Sequence, residues 1–512
     1  MSKKDILLEY EEKKKLYSYQ LGDIDLIFDK IETAPHNYHL LYQLPTGGGK
    51  TVIFSEITRR YLEKYHKKVV VLTHRIELCK QTSKMLKGFD VKNKIINSVV
   101  KDLPDQNDYS CFVAMVETLK NRLNDEKLHI DNVGLLIIDE AHFNSFRKLF
   151  HAFKNTFFLG VTATPLSSNI KLPMGENYHE LVVGHSIASL IGKGYLAKAT
   201  TYSYDVGLTS LKIGINGDYT VKSSDELYTN LAMQEKLIYA YTAHSMGKKT
   251  LIFNNGIITS LSVLDTFREA GFKNIKHLDN TNSNEERKDI LKWFKDTPDA
   301  ILTSVGILTT GFDEPTVESI ILNRATKSLT LYFQMIGRGS RKLPNKDAFS
   351  IIDLGNNAAR FGLWTDKLDW QHIFKYPEKY IHNLKGDVEI EMNFHYTMPE
   401  ELKAKFSNTP DITFDVETEY RIALSKNLRP KVVIEKSIEH HASMCVDNSE
   451  TLVEAKQLAN ELAEDIESRV RHFTNCLSSS TKNYREWLIE DYKTRLTVII
   501  GRKFREKIFS MD

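Results

Sequence analysis

Between the apolar run Leu40–Leu44 and a second one that starts at Val52, the chain places Pro45-Thr46-Gly47-Gly48-Gly49-Lys50-Thr51. A strand, a glycine loop and a helix start therefore follow one another with almost no spacer. Three consecutive glycines let the backbone curl until several N–H groups converge on one anion. The helix that follows adds its own free N–H groups and its positive dipole end. In such a loop Thr46, Gly47, Gly48 and Gly49 cradle phosphates, Lys50 reaches the β- and γ-phosphates, and the Thr51 hydroxyl ligates Mg²⁺. The common form of this pattern has a further glycine five places before Gly49, where this chain has Leu44.

Downstream, apolar runs alternate with helical segments, and each run ends on a polar cluster. Lys68–Thr73 leads to His74-Arg75-Ile76-Glu77-Leu78, Cys111–Met115 to Thr118, Gly134–Ile138 to Asp139-Glu140-Ala141-His142, and Phe157–Val161 to Thr162-Ala163-Thr164-Pro165. Continuous apolar strands separated by helices predict a parallel sheet covered on both faces, with ligands gathered at the strands' carboxyl ends. A second alternating set starts near Thr200: Thr250–Asn254, Ile275–Leu278, Ala300–Thr303, Val317–Leu322 and Ser350–Asp353. Past Phe361 the alternation fades. Amphipathic spacing predicts a helix from Thr451, capped with Glu454, to Phe473. A second is predicted over 484–509, with Trp487, Leu488, Tyr492, Leu496, Ile499, Phe504 and Ile508 apolar. Three domains are expected: 1–198, 199–360 and a mostly helical 361–512. Residues 4–16 are expected to form a charged helix.

With 512 residues the chain is too long for one core. Its 69 basic and 67 acidic side chains leave a net charge of +2, so any nucleic-acid surface must be local. Arg502, Lys503, Arg505 and Lys507 offer either a phosphate contact or a solvated basic face. Four scattered cysteines, without paired spacing, predict a reducing compartment with neither disulfides nor structural zinc. The N-terminus has no secretory pattern and no apolar run reaches membrane-spanning length, so a cytoplasmic location is expected.

Triphosphate hydrolysis needs a metal, a positioned water and cationic groups for the developing charge. Asp139, at a strand end, is the expected Mg²⁺ ligand beside Thr51, and Glu140 the expected acceptor of the water's proton. His142 is a candidate bridge to the neighbouring domain. Arg338 and Arg341, expected one helical turn apart on one face, are candidate arginine fingers, with Gln334 one turn earlier. The amide of Gln20, before the glycine loop, matches the polar edge of adenine.

The ordered set Tyr19-Gln20, LPTGGGKT (44–51), THRIEL (73–78), DEAH (139–142), TATP (162–165), TTGFDEP (309–315) and QMIGRGSR (334–341) resembles the superfamily 2 helicases of the DEAH type. Within them it is most similar to bacterial and phage DNA repair and branch-migration helicases and to restriction-enzyme motors. The resemblance spans about residues 17–360 and implies an α/β fold of two tandem RecA-like domains followed by a mainly α-helical domain. It implies ATP and Mg²⁺ as cofactors, Gln20 on adenine, Asp313 near the ribose or the domain interface, and Thr162 and Thr164 as coupling residues. It places His74, Arg75, Thr118, Asn254 and Thr310 along a nucleic-acid strand. The expected activity is an ATP-dependent DNA helicase or translocase in repair, recombination or phage replication. The alternatives are an RNA helicase, or an ATPase subunit of an anti-phage or restriction assembly joined through residues 361–512. No cysteine-rich zinc module and no nuclease motif accompany the match.

Overall fold

The computed structural model describes residues 16–509 apart from 101–102, 104, 125–128, 310–311, 393–397, 427 and 478–481. The helix expected over 4–16 falls almost wholly outside them. The described chain forms two compact units, Met1–Glu391 and Met392–Asp512.

The first unit holds two parallel sheets. One contains β1 (His39–Gln43), β2 (Lys68–Thr73), β3 (Asn93–Ile96), β4 (Cys111–Met115), β5 (Val133–Asp139), β6 (Phe157–Thr162) and β7 (Glu180–Val183) in the order β3-β4-β2-β5-β6-β1-β7. The other contains β8 (Lys198–Ser203), β9 (Thr250–Asn254), β10 (Ile275–Leu278), β11 (Ile301–Val305), β12 (Ser319–Asn323) and β13 (Ala348–Asp353) in the order β10-β11-β9-β12-β13-β8. Every pairing within them is parallel. In β5, Leu135 to Ile138 are fully buried, which is why the central strands are apolar throughout rather than alternating.

Strand order explains how distant motifs meet. β6 lies between β1 and β5, so the turn after β6 separates and braces the glycine loop and the acidic pair. Leu44 N donates to Thr162 O at 3.0 Å, Gln43 Nε2 to Ala163 O at 3.0 Å, and Ala141 N to Val161 O at 3.0 Å.

After the second sheet the chain returns to the first lobe. In the helix Trp370–Lys375, Trp370, Ile373 and Phe374 are buried. Trp370 packs edge-on against Phe333 of the second lobe, ring centroids 5.8 Å apart, while Gln371 Nε2 donates to Leu181 O of β7 at 2.8 Å. The helix thus straps one lobe to the other, and the first unit runs past residue 360 to Glu391.

The second unit is helical. Thr451 and Glu454 form the expected capping box, but the chain turns at Leu462, giving two helices, Leu452–Glu461 and Ala463–Cys476, in place of one. Leu462 is fully buried at the break, so the apolar spacing continues across it unchanged and does not betray it. In the helix Lys482–Phe509 the buried stripe is Leu488, Tyr492, Leu496, Ile500 and Phe504, whereas Trp487 and Ile508 are exposed. The basic residues near its end are partly engaged: Arg502 and Lys503 reach Glu439 at 2.7 and 3.2 Å, and Lys507 Nζ donates to Val446 O and Ser449 O. No described helix is long and apolar enough to cross a membrane.

Candidate nucleotide site between the two sheets

The glycine loop sits directly after β1 and ahead of the helix Lys50–Tyr65. Gly47 and Gly49 have φ of 94° and 83°, left-handed values that a side chain disfavours. Space forbids one as well. A β-carbon on Gly49 would lie 2.5 Å from Gln20 Nε2. Lys50, almost wholly buried, donates Nζ to Leu44 O at 3.3 Å. Burial pushes its pKa down, against the pull of Glu140 and Asp139.

Asp139 ends β5 and is 6% exposed. Burial first, then the neighbouring Glu140 charge, push its carboxyl above the usual range, with Lys50 opposing. Glu140 has φ of 52°, a left-handed backbone that costs a non-glycine residue about 1 kcal/mol. Its N–H donates to Asp139 Oδ1 at 3.0 Å, and that bond helps hold the turn. Burial alone would raise the Glu140 pKa, but Lys50, His142, Arg338 and His74 together hold it down. Glu140 Oε2 is buried without a hydrogen bond, His142 Nδ1 being 3.4 Å away. His142 Nδ1 instead meets Thr162 Oγ1 at 3.0 Å, so this histidine links two turns of its own sheet.

The bridge between lobes is carried by Thr164, whose Oγ1 donates to Thr330 Oγ1 at 2.9 Å. Thr330 lies on the helix Leu329–Ile336, which also carries Gln334, buried with its Nε2 lacking a partner. The helix stops at Ile336. Arg338 and Arg341 therefore do not share a helical face; Arg338 lies in a turn, and Arg341 is extended, bridged antiparallel to Leu196. Gly337 and Gly339 flank Arg338 and are packed too closely for a side chain, Gly337 against Thr46 and Gly339 against Phe349, which favours a turn here. Arg341 nonetheless reaches the glycine loop at Gly47, and both arginines act electrostatically on Lys50. Arg338 donates Nη1 to Phe312 O at 2.5 Å and Nη2 to Thr309 O, while its Nε has no partner. Burial pushes Arg338 down to about 10. Arg341 Nε meets Asp313 Oδ1 of its own lobe at 3.1 Å. Ser340 Oγ donates to Thr46 O at 3.4 Å.

Gln20 holds the loop from behind. Its Oε1 accepts from Tyr17 N at 2.9 Å and its Nε2 donates to Gly48 O at 3.4 Å. Tyr19, named beside Gln20 in the sequence motif but given no role there, donates its hydroxyl to the same carbonyl at 2.7 Å.

The residues expected along a nucleic-acid strand fare unevenly. Asn254 is a correction: its side chain is inside the second sheet, donating to Thr303 Oγ1 and Ser304 O and accepting from Asn323 Nδ2. Thr310 lies outside the described residues. Thr118 is half-buried on the helix Val116–Asn124. Arg75 sits at the start of the helix Ile76–Gly88, where burial lowers its pKa against the pull of Glu77. Glu77 in turn reaches Arg287 of the second lobe at 3.5 Å, a contact the sequence did not announce. His74 packs its ring on Phe143, and neither ring nitrogen finds a partner. Burial pushes it down to about 4, so it is neutral near pH 7.

Residues 13–167 match the family described as type III restriction enzyme, res subunit, and residues 231–342 match the helicase conserved C-terminal domain. The Saccharomyces cerevisiae protein named "Putative ATP-dependent helicase IRC3" is 30% identical over 66% of this chain and 51% of its own length. A 51.5 kDa protein of a Lactococcus phage is 30% identical over 65% of this chain and 70% of its own. The ATP-dependent DNA helicase uvsW of phage T4 is 21% identical over 63% and 66%. Among solved structures, a fragment of an HsdR subunit of a type I restriction enzyme from Vibrio vulnificus shares the fold, with TM-score 0.53, 21% identity, 67% of this chain and 65% of that one. The chain spans about half the length of IRC3. Two matched helicase domains on two tandem parallel sheets, with their motifs meeting at the seam, make the chain a member of the superfamily 2 helicases.

Proposed function

We propose that this chain is a DEAH-type ATPase that hydrolyses ATP at the seam between its lobes and uses the closure to move along, or remodel, DNA. The observation that carries the proposal is the opposed placement of Lys50, Asp139 and Glu140 on one lobe and Arg338 and Arg341 on the other. A buried carboxylate at a strand end and a hydroxyl at a helix start form a donor set that suits a hard divalent cation with phosphate and water completing its shell. Mg²⁺ held by Asp139 and Thr51 would supply charge neutralisation for the transferring phosphoryl group. The chain's own parts do the rest. Gly47 to Gly49 and Lys50 bind phosphate, Glu140 takes the proton of the attacking water, and Arg338 and Arg341 meet the charge that develops. Thr162 and Thr164 connect that event to Thr330. His74 and Arg75 are assigned to the nucleic-acid backbone, and a grip on phosphates implies salt-sensitive binding without sequence preference.

DNA is favoured over RNA by the name of the uvsW relative. The restriction-enzyme relatives favour a second reading, a motor subunit that works in a larger assembly through residues 392–512. The test is ATPase rate with single-stranded DNA, duplex DNA, forked DNA and RNA. DNA stimulation supports the proposal, stimulation by RNA alone overturns the substrate assignment, and no ATPase in Lys50→Ala is the control.

A further inference from the structure

Phe143 follows the DEAH sequence and belongs to none of the motifs above, yet its ring stands between two of them. Its centroid is 4.2 Å from the His74 ring at 40° and 4.4 Å from the His142 ring at 39°. His74 opens the turn after β2, next to Arg75; His142 leads to Thr162, Thr162 to Thr164, and Thr164 to Thr330 on the helix that carries Gln334. No hydrogen bond holds either nitrogen of His74, so ring packing sets its orientation. Tilted ring pairs prefer discrete offsets, and the half-buried Phe143 packs against the core of the first unit with the buried His142 beside it.

We propose that Phe143 is a positioning residue that couples occupation of the His74–Arg75 turn by a nucleic-acid phosphate to the placement of His142 and Glu140. The proposal rests on the motor reading above. A strand pulling on Arg75 moves the neighbouring His74 ring; Phe143 follows it, and His142, 3.4 Å from Glu140 Oε2, follows Phe143. Such a device leaves ATP binding and nucleic-acid binding in place and changes what one does to the other.

The experiment uses the full chain and whichever of oligo(dT), duplex DNA and oligo(U) best stimulates the wild type. Measured for each variant are basal kcat, KM for ATP, stimulated kcat, oligonucleotide Kd by fluorescence anisotropy, and Tm. Phe143→Leu should lower the stimulated kcat about tenfold, as loss of two aromatic contacts implies, with the other quantities changed less than about twofold. Phe143→Tyr should retain stimulation. Where Leu lowers Tm, Phe143→Met, flexible and without a ring, replaces it. In a double-variant cycle, His74→Ala with Phe143→Leu should lose no more stimulation than His74→Ala alone. Full stimulation in a ringless variant, or equal loss in Phe143→Tyr, overturns the coupling. A wild type that no nucleic acid stimulates overturns the motor reading and the coupling with it.

Discussion

Arg341 Nη1 lies 2.7 Å from where a β-carbon on Gly47 would sit, so the second lobe delivers a guanidinium onto the backbone of the first lobe's phosphate loop. This is the approach that an arginine finger requires. Arg341→Ala is expected to lower kcat by about 10³-fold while the nucleotide Kd changes little. Arg341→Lys should recover little, since a point charge lacks the planar fork. Steady-state kinetics beside fluorescent-nucleotide titration separate the two effects.

Gly47→Ala attacks the same contact from the other side. The added methyl meets Ser340 Oγ and Leu196 as well as Arg341, at a φ of 94°. Lobe closure should fail, with stimulated ATPase falling to basal level; a Gly47→Ala protein with normal stimulation would contradict the closed arrangement.

Glu140→Gln keeps the shape and the left-handed backbone but removes the carboxylate proposed to accept the water's proton. Turnover should fall by about 10²-fold or more while ATP still binds. Single-turnover hydrolysis compared with equilibrium binding of ATP checks this.

Chain ended at 360 and chain ended at 391 should behave differently. The shorter one loses Trp370, Ile373 and Phe374 and bares Phe333, a loss on the order of 5 kcal/mol for three buried apolar side chains. Its Tm should drop sharply or the protein should aggregate, while the longer form keeps the transition of the motor unit.

Acid should loosen the second unit. His441 is fully buried between Asp465, at 2.6 Å from Nε2, and Tyr492, at 2.9 Å from Nδ1. Burial and then Arg469 push it down to about 4, despite the Asp465 carboxylate. Its folded pKa is therefore below the unfolded value near 6.5, the unfolded chain binds the proton first, and stability falls as pH drops from about 6.5 to about 4. The slope is about 1.4 kcal/mol per pH unit in that window. Asp465 is held low by its partners, so its contribution is also lost as pH falls, in a more acid range. Thermal melts of the full chain from pH 7 to pH 4 should show this loss in a separate helical transition, and His441→Gln should flatten it.

The central strands were legible because burial on both faces demands uninterrupted apolar runs, and the motifs because each ends such a run. β3, β7 and β8, three of the four edge strands among the described residues, were not, whereas the fourth, β10, was read as Ile275–Leu278. β8, Lys-Ala-Thr-Thr-Tyr-Ser, has no fully buried residue and so no apolar run. The site's polar ends were visible as letters, but their directions were not. Asn254 turned inward because Thr303 and Asn323 on adjacent strands offer it partners, and Arg341 left the expected helix where glycines flank Arg338. Phe143 and Thr330 carry no signature of their own, and the Tyr19-Gln20 pair does not announce what the Tyr19 hydroxyl does; all three matter through what the fold places beside them.

The helix Trp370–Lys375 has one more consequence. A protein whose halves share a single peptide connection can flop apart in any direction, but this one is laced together a second time, at Leu181. Together with Glu77 on Arg287 and Thr164 on Thr330, that second lacing narrows the ways in which the lobes can part.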